Sequence, residues 1–283
     1  MTTHAHPSPF FAALQAGLEE ACRATAGAAQ ACARQLDAID PDARRFAAQV
    51  PLMAAARLLP APRLSRDAAH HTNNTASTAP PPVIFVHGLG GHPRDFSALG
   101  LYFSHRGCTQ ALALDVDGCT SIDAMASSLT LAIDDLHQRI QRPIALVCHS
   151  MGGLVARTAL LDPEAAAKVA SLTTLGSPHH GSDLARWARS ELITPLRPGS
   201  ELLQRLDAQL PWDARRMPPL TCFWSPSDLV IMPPQSACIP GARNIQAPTG
   251  TTHLSYLLQP GLWRQIFEAV DTPLAASYAP SHH

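Results

Sequence analysis

Short apolar runs alternate with longer amphipathic stretches along the chain from residue 83 onward. Residues 83–86, 144–148 and 220–224 are almost wholly apolar, with β-branched or aromatic side chains in each run. Such continuous runs are typical of strands buried on both faces of a parallel sheet. Between them, apolar residues recur at helical spacing, most clearly over residues 121–140. The alternation predicts a mostly parallel sheet of about six strands with helices on both faces.

Three weaker strands and several helix boundaries complete this prediction. Asp95 is expected to cap a helix that carries Phe96, and Ser121 to cap the longer helix after it. The remaining strands are expected at residues 111–116, 172–175 and 243–245, and a closing helix at residues 254–270.

The first 79 residues differ from the rest of the chain. Residues 9–39 are Ala-rich and helix-prone, and a second helix is predicted over residues 42–59. A polar, Pro-ended linker over residues 70–82 follows, so we divide the chain into an extension, 1–79, and a main domain, 80–283. The extension is either a docking arm that contacts a membrane surface, a helical hairpin packed on the main domain, or a tail without fixed structure.

Composition excludes several classes of function. The net charge is −1 and no long basic run occurs, which argues against a nucleic-acid partner. No segment is apolar enough for a membrane span, and no secretory signal is visible, so a cytoplasmic location is expected. Seven cysteines without a C-x-x-C pair indicate buried free thiols, although one bridge between Cys222 and Cys238 stays open. We therefore expect no metal and no cofactor, and the sequence carries no signal for an oligomeric state.

Ser150 has the setting of a nucleophile. It follows a predicted strand and precedes a helix, and Cys148 and Gly152 provide small side chains two residues away on either side. A tight strand-to-helix turn exposes the hydroxyl to a base. We predict His253 as that base and Asp228 as the carboxylate that orients it, because the chain order is then Ser, Asp, His. Asp183 is the alternative acid.

The turn after the first strand is predicted to supply an oxyanion hole. Its residues, 87–91, read His-Gly-Leu-Gly-Gly, and they lack both the spacing and the Lys of a phosphate-binding loop. We expect the backbone N–H groups of Leu89 and Met151 to hold the oxyanion of a tetrahedral intermediate. His87 is expected to hold this turn by hydrogen bonds, while strand alternation turns His149 away from Ser150.

Residues 183–217 are irregular and amphipathic, and their apolar side chains are expected either to line an acyl pocket or to be ordinary core contacts. An apolar pocket would favour acyl esters of medium or longer chain length. The residues predicted to contact substrate are His87, His149, His179, Trp187, Leu192 and Leu196.

These motifs together carry a resemblance to a known family. The pieces are residues 86–91 (VHGLGG), 149–153 (HSMGG), 175–182 (LGSPHHGS), 227–228 (SD) and His253. Residues 83–270 resemble an α/β-hydrolase of the bacterial lipase and esterase group. The resemblance implies an α/β-hydrolase fold that lacks the first strands, and a triad of Ser150, Asp228 and His253. It also implies a lid-like segment at residues 183–217, where related enzymes have a lid. Cys148 departs from the usual Gly or Ala, and the acidic pair that holds calcium in some of these lipases is missing around His253.

The sequence thus predicts a serine carboxylic-ester hydrolase whose partner is a small acyl ester or a lipid. A thioesterase or an acyltransferase would use the same triad. A non-catalytic binding protein, or a membrane-docked partner protein working through residues 1–79, is the alternative from another class.

Overall fold

The computed structural model describes residues 41–63, 79–187 and 190–271. The predicted helical stretch 9–39 and most of the predicted linker lie outside the described residues. All cysteines in these ranges, Cys222 and Cys238 among them, are free thiols.

A six-stranded sheet forms the centre of the molecule, with the strand order β2-β1-β3-β4-β5-β6. Every neighbouring pair of strands is parallel, which confirms the predicted fold class. The strand from residue 111 ends at 113, earlier than predicted, because the chain turns at Asp115, whose carboxylate accepts the N–H of Asp117. The strands are β1 (Val83–Val86), β2 (Ala111–Ala113), β3 (Ile144–His149), β4 (Val169–Leu175), β5 (Leu220–Trp224) and β6 (Arg243–Gln246).

Helices cover both faces of this sheet, and short 3₁₀ turns connect several of them. The closing helix divides in two because Pro260 has no N–H group to continue the first part, but suits the start of the second. The helices are α1 (Pro41–Ala56), α2 (Ser97–His105), α3 (Ile122–Ile140), α4 (Gly152–Ala159), α5 (Pro163–Ala167), α6 (Glu201–Asp207), α7 (Ser255–Leu258) and α8 (Pro260–Asp271).

Of the two residues predicted to cap a helix, Ser121 does so and Asp95 does not. Ser121 caps α3 as predicted, since its hydroxyl accepts the N–H of Ala124. The prediction for Asp95 is wrong: His92 is the cap of a 3₁₀ turn, Pro93–Phe96, and Asp95 is the third residue of that turn. Its carboxylate accepts the N–H of His92, so it completes a capping box instead of starting the helix.

Strand alternation divides the core into two layers. Ile84 and Leu146 face a layer that includes α3 and α4, whereas Phe85 and Val147 face a layer that includes α2 and α8. Cys148 belongs to the first layer and is fully buried there, which shows how the elbow accommodates a side chain larger than Gly. Both faces of the sheet are thus covered by packed apolar side chains.

Helix α1 packs on this domain, close to the bounds predicted for the second N-terminal helix. Met53 joins the core layer of α2 and α8. Gln49 donates from Nε2 to Ser255 Oγ over 2.6 Å, and Thr252 Oγ1 donates to Gln49 Oε1 over 2.5 Å. The division of the chain near residue 80 stays a prediction, but α1 lies against the domain that carries the predicted site.

Candidate active site

Ser150 sits on a strained turn between β3 and α4. Its φ of 54° lies in the left-handed region, which costs free energy for a residue with a side chain. Its N–H donates to the carbonyl of Leu175 at the end of β4. The turn leaves no space at Gly152, where a Cβ would lie 2.4 Å from the Val86 carbonyl oxygen. The backbone thus pushes the Ser150 side chain out at the carboxyl edge of the sheet.

Three side chains predicted from separate parts of the chain form one hydrogen-bonded series. Ser150 Oγ lies 2.9 Å from His253 Nε2, and His253 Nδ1 lies 2.9 Å from Asp228 Oδ2. Asp228 is 1% exposed and His253 is 6% exposed. A carboxylate at Nδ1 places that nitrogen's proton between the two residues and leaves Nε2 free to accept the serine proton.

Backbone groups fix the orientation of Asp228. Its Oδ1 accepts the N–H of Val230 over 2.9 Å and the N–H of Ile231 over 3.2 Å, so Oδ2 is the oxygen that faces His253. Gly176 permits this position, because a Cβ there would lie 2.8 Å from Oδ2. Asp183, the other acid considered, instead forms an exposed ion pair with Arg186.

The turn predicted to supply an oxyanion hole lies directly against Ser150. A Cβ on Gly88 would lie 2.6 Å from the Cβ of Ser150, so only glycine allows this approach. Among the hydrogen bonds of the described residues, none uses the N–H of Leu89 or of Met151. His87 Nδ1 lies 3.0 Å from the Gly88 carbonyl oxygen, a contact that restrains the turn as expected.

An ion pair that sequence reasoning missed holds the same turn from outside. Arg57, just after α1, makes two hydrogen bonds to Asp95, with lengths of 2.5 and 3.1 Å. It also approaches the Gly90 carbonyl at 3.5 Å. The hydrogen bond to Asp95 raises the pKa of the Arg57 guanidinium. The sequence does not predict this ion pair, because the position of an arginine in the chain does not indicate which carboxylate 38 residues away it will bind.

A cavity of about 640 Å³ opens at Ser150 and His253, and its walls are mostly apolar. Among the predicted substrate contacts, His149 and Leu196 line it. From the predicted lid segment, Leu184 and Ile193 also line it. The segment is built from short turns, Asp183–Arg186 and Thr194–Leu196, followed by α6.

Four other predicted contacts lie elsewhere. Trp187 is 87% exposed and stays outside the cavity, and Leu192 packs against the core layer of α3 and α4. His179 is fully buried below the site, where its Nε2 meets Thr174 Oγ1 at 3.0 Å. His87 is also buried and serves the turn. These four positions share one cause: residue type at a strand end does not determine which way a side chain in an irregular segment points.

His149 contacts His253 and lies beside Tyr256, a member of the core layer that Ala145 and Val147 also face. Its Nε2 lies 2.9 Å from the His253 carbonyl oxygen, and the two ring centroids are 4.7 Å apart. Because a carbonyl only accepts, Nε2 of His149 carries the proton. Burial, together with the neighbouring His253, lowers the pKa of His149 to about 3. His149 is therefore neutral near pH 7 and holds the backbone of His253.

Within residues 41–63, 79–187 and 190–271, no group of three or more His, Cys, Asp or Glu side chains is arranged to hold a metal ion. None of the helices that the structure describes has both the length and the apolar character needed to cross a bilayer.

The parallel sheet, the turn at Ser150 and the hydrogen-bonded Ser, His and Asp are typical of α/β-hydrolases. The profile of the alpha/beta hydrolase family matches residues 83–273, so the chain belongs to this family. A triacylglycerol lipase of Pseudomonas fragi is 31% identical over 114 residues, which is 37% of this chain and 36% of the lipase. The chain thus matches little more than a third of that relative's length.

Solved structures share the fold at low identity. The mature lipase of Bacillus licheniformis has a TM-score of 0.56 at 19% identity, covering 74% of this chain and 95% of that chain. Lipase B of Aspergillus fumigatus has a TM-score of 0.60 at 17% identity, covering 79% of this chain and 57% of that chain.

Proposed function

We propose that the protein is a serine carboxylic-ester hydrolase of the lipase or esterase type. The observation that carries this proposal is the series Ser150–His253–Asp228 at the floor of an apolar cavity. A buried series of this geometry activates a hydroxyl for attack on a carbonyl carbon. The similarity to a triacylglycerol lipase over part of the chain supports an ester as the substrate.

In the first half of the reaction, Ser150 Oγ attacks the ester carbonyl while His253 Nε2 takes its proton. The carbonyl oxygen becomes an oxyanion, which the N–H groups of Leu89 and Met151 stabilise together with the N-terminus of α4. His253 then donates the proton to the leaving alcohol, and an acyl-enzyme remains. Asp228 keeps His253 in the required tautomer and stabilises its transient positive charge.

In the second half, water attacks the acyl-enzyme and His253 again accepts the proton. The tetrahedral intermediate collapses, the free acid leaves and Ser150 regains its proton. No step requires a metal or a cofactor, since the two proton transfers and the oxyanion are served by side chains and backbone groups of this chain.

Hydrolysis of p-nitrophenyl esters from acetate to palmitate tests the proposal in wild type and Ser150→Ala. We expect the variant to lose at least about 10⁴-fold in kcat, since the nucleophile of such a triad has no substitute. Ser127→Ala is the matched control, because Ser127 is exposed on α3 and bonds only its own helix.

Four outcomes distinguish the alternatives. Equal activity of wild type and Ser150→Ala would contradict the assignment of Ser150. Activity on acyl thioesters but on no oxygen ester would point to a thioesterase, and transfer of the acyl group to an added alcohol in preference to water would point to an acyltransferase. No turnover of any ester or thioester would favour a binding role.

A further inference from the structure

Helix α1 lies outside residues 83–273, the part of the chain that matches the family, yet it forms one wall of the cavity. The residues it contributes fall at the spacing i, i+4, i+7, i+8 and i+11, which places them on one face of a helix. They are Phe46, Val50, Met53, Ala54 and, directly after the helix, Arg57.

Polar contacts anchor this wall beside the site. Gln49 bonds both Thr252 and Ser255, the residues on either side of the segment that carries His253. Arg57 bonds Asp95 and approaches Gly90 in the predicted oxyanion turn. Helix α1 is therefore bound both to the segment that carries His253 and to the predicted oxyanion turn. Its apolar face cannot rotate away from the cavity without breaking these hydrogen bonds.

The apolar face of α1 runs from the solvent into the domain. Val50 is 52% exposed, whereas Met53 is 6% exposed and belongs to the core. The same cavity is also lined by Leu184, Ile193 and Leu196, from the connection between β4 and β5. An acyl chain that lies in this cavity with its carbonyl carbon at Ser150 is therefore bordered by side chains of α1 and of this connection.

We propose that helix α1 is the acyl-chain selector of this enzyme. Phe46, Val50 and Met53 contact the acyl chain along its length, and Ala54 leaves the space in which the chain lies. The proposal rests on the proposed ester hydrolysis and adds the group that sets its chain-length preference. The N-terminal segment then acts inside the substrate cavity, in addition to any role at a membrane surface.

The test is one substitution made at two places on the helix. Both alanines are exposed on α1. Ala54→Trp adds a large side chain where the helix lines the cavity, while Ala47→Trp adds the same side chain where the helix does not line it. The measured quantity is the ratio of kcat/KM for p-nitrophenyl dodecanoate to that for p-nitrophenyl butyrate. This ratio does not depend on how much of each variant is folded.

We expect Ala54→Trp to lower this ratio by about tenfold or more, since a change of one methylene in an apolar pocket already discriminates about tenfold. Ala47→Trp should keep the wild-type ratio. Phe46→Ala, which widens the cavity, should move the optimum toward longer chains. An unchanged ratio in Ala54→Trp, or in Phe46→Ala if Ala54→Trp is inactive, would overturn the proposal.

A binding measurement separates the selector from the reaction. Fluorescence titration with cis-parinaric acid reports an acyl chain in the cavity without needing turnover. Ala54→Trp should weaken its binding by about tenfold relative to Ala47→Trp. If wild type cleaves no ester but this difference appears, the proposed function fails and the selector stands. If esters are cleaved and neither the binding nor the ratio differs, the selector fails and the function stands.

Discussion

Exchange of Asp228 for asparagine changes one atom of the proposed triad and keeps its shape. Oδ1 accepts the N–H groups of Val230 and Ile231, so the amide oxygen of Asp228→Asn takes this position and the NH₂ group faces His253 Nδ1. An NH₂ group donates only to an unprotonated nitrogen. The proton of His253 then moves to Nε2, which can no longer accept the proton of Ser150.

The wrong tautomer of the base costs about 10⁴-fold in kcat, equivalent to about 5 kcal/mol of transition-state stabilisation. Stability should change little, because the two backbone hydrogen bonds and the packing around residue 228 remain. We therefore expect a folded protein with very low turnover and nearly unchanged KM, provided that substrate dissociation is faster than chemistry.

The assay compares hydrolysis of one short p-nitrophenyl ester and the thermal unfolding of wild type and Asp228→Asn. Asp183→Asn is the matched control, because Asp183 bonds only exposed or backbone groups away from Ser150. A loss of less than tenfold in Asp228→Asn, or an equal loss in Asp183→Asn, would refute the assignment of the acid.

Three further predictions concern the scaffold. The unfolded chain binds a proton at His149 below pH 6.5, whereas the folded chain binds it only near pH 3. The free energy of unfolding should therefore decrease as the pH falls from 6.5 to 3, by up to about 1.4 kcal/mol per pH unit, and less steeply in His149→Gln. Equal slopes of wild type and variant in denaturant titrations across this pH range would contradict this. Gly152→Ala should lower the free energy of unfolding by about 1–3 kcal/mol and remove most of the activity, because the added Cβ meets the β1 backbone. Gly261→Ala is the control: its Cβ meets nothing within 4 Å, so its melting temperature should be that of wild type. Arg157→Met removes the donor to the buried Leu206 carbonyl, so we expect a loss of about 2–4 kcal/mol in denaturant unfolding; a loss below 1 kcal/mol would be inconsistent with this role.

The sheet was predictable because buried parallel strands need continuous apolar runs. Residues 83–86 and 220–224 have such runs, and both strands have the predicted bounds. The predicted site residues follow strands of this sheet: Ser150 follows β3, Asp228 follows β5 and His253 follows β6. Parallel strands bring their carboxyl ends to one edge of the sheet. That rule alone brings Ser150, Asp228 and His253 together, although the chain separates the first and last by 103 residues.

The cavity wall was not predictable in the same way. Helix α1 is Ala-rich, so its pattern does not select a buried face, and Gln49 reaches Ser255 across 206 residues of sequence. The size and apolar character of Trp187 favoured a pocket residue, yet its side chain is exposed, because the irregular segment that carries it does not determine which way the side chain points. His149 is the last residue of β3, and strand alternation gives its face of the sheet but not its contact with His253, which comes from a distant part of the chain.

The most direct test of the account is covalent labelling by an organophosphate such as paraoxon, followed by intact-mass and peptide mass spectrometry. The account predicts one phosphoryl group per chain on Ser150, loss of ester hydrolysis in parallel with labelling, and no label on Ser150→Ala. Label on a different residue with the same loss of activity, or full activity with Ser150 labelled, would contradict it.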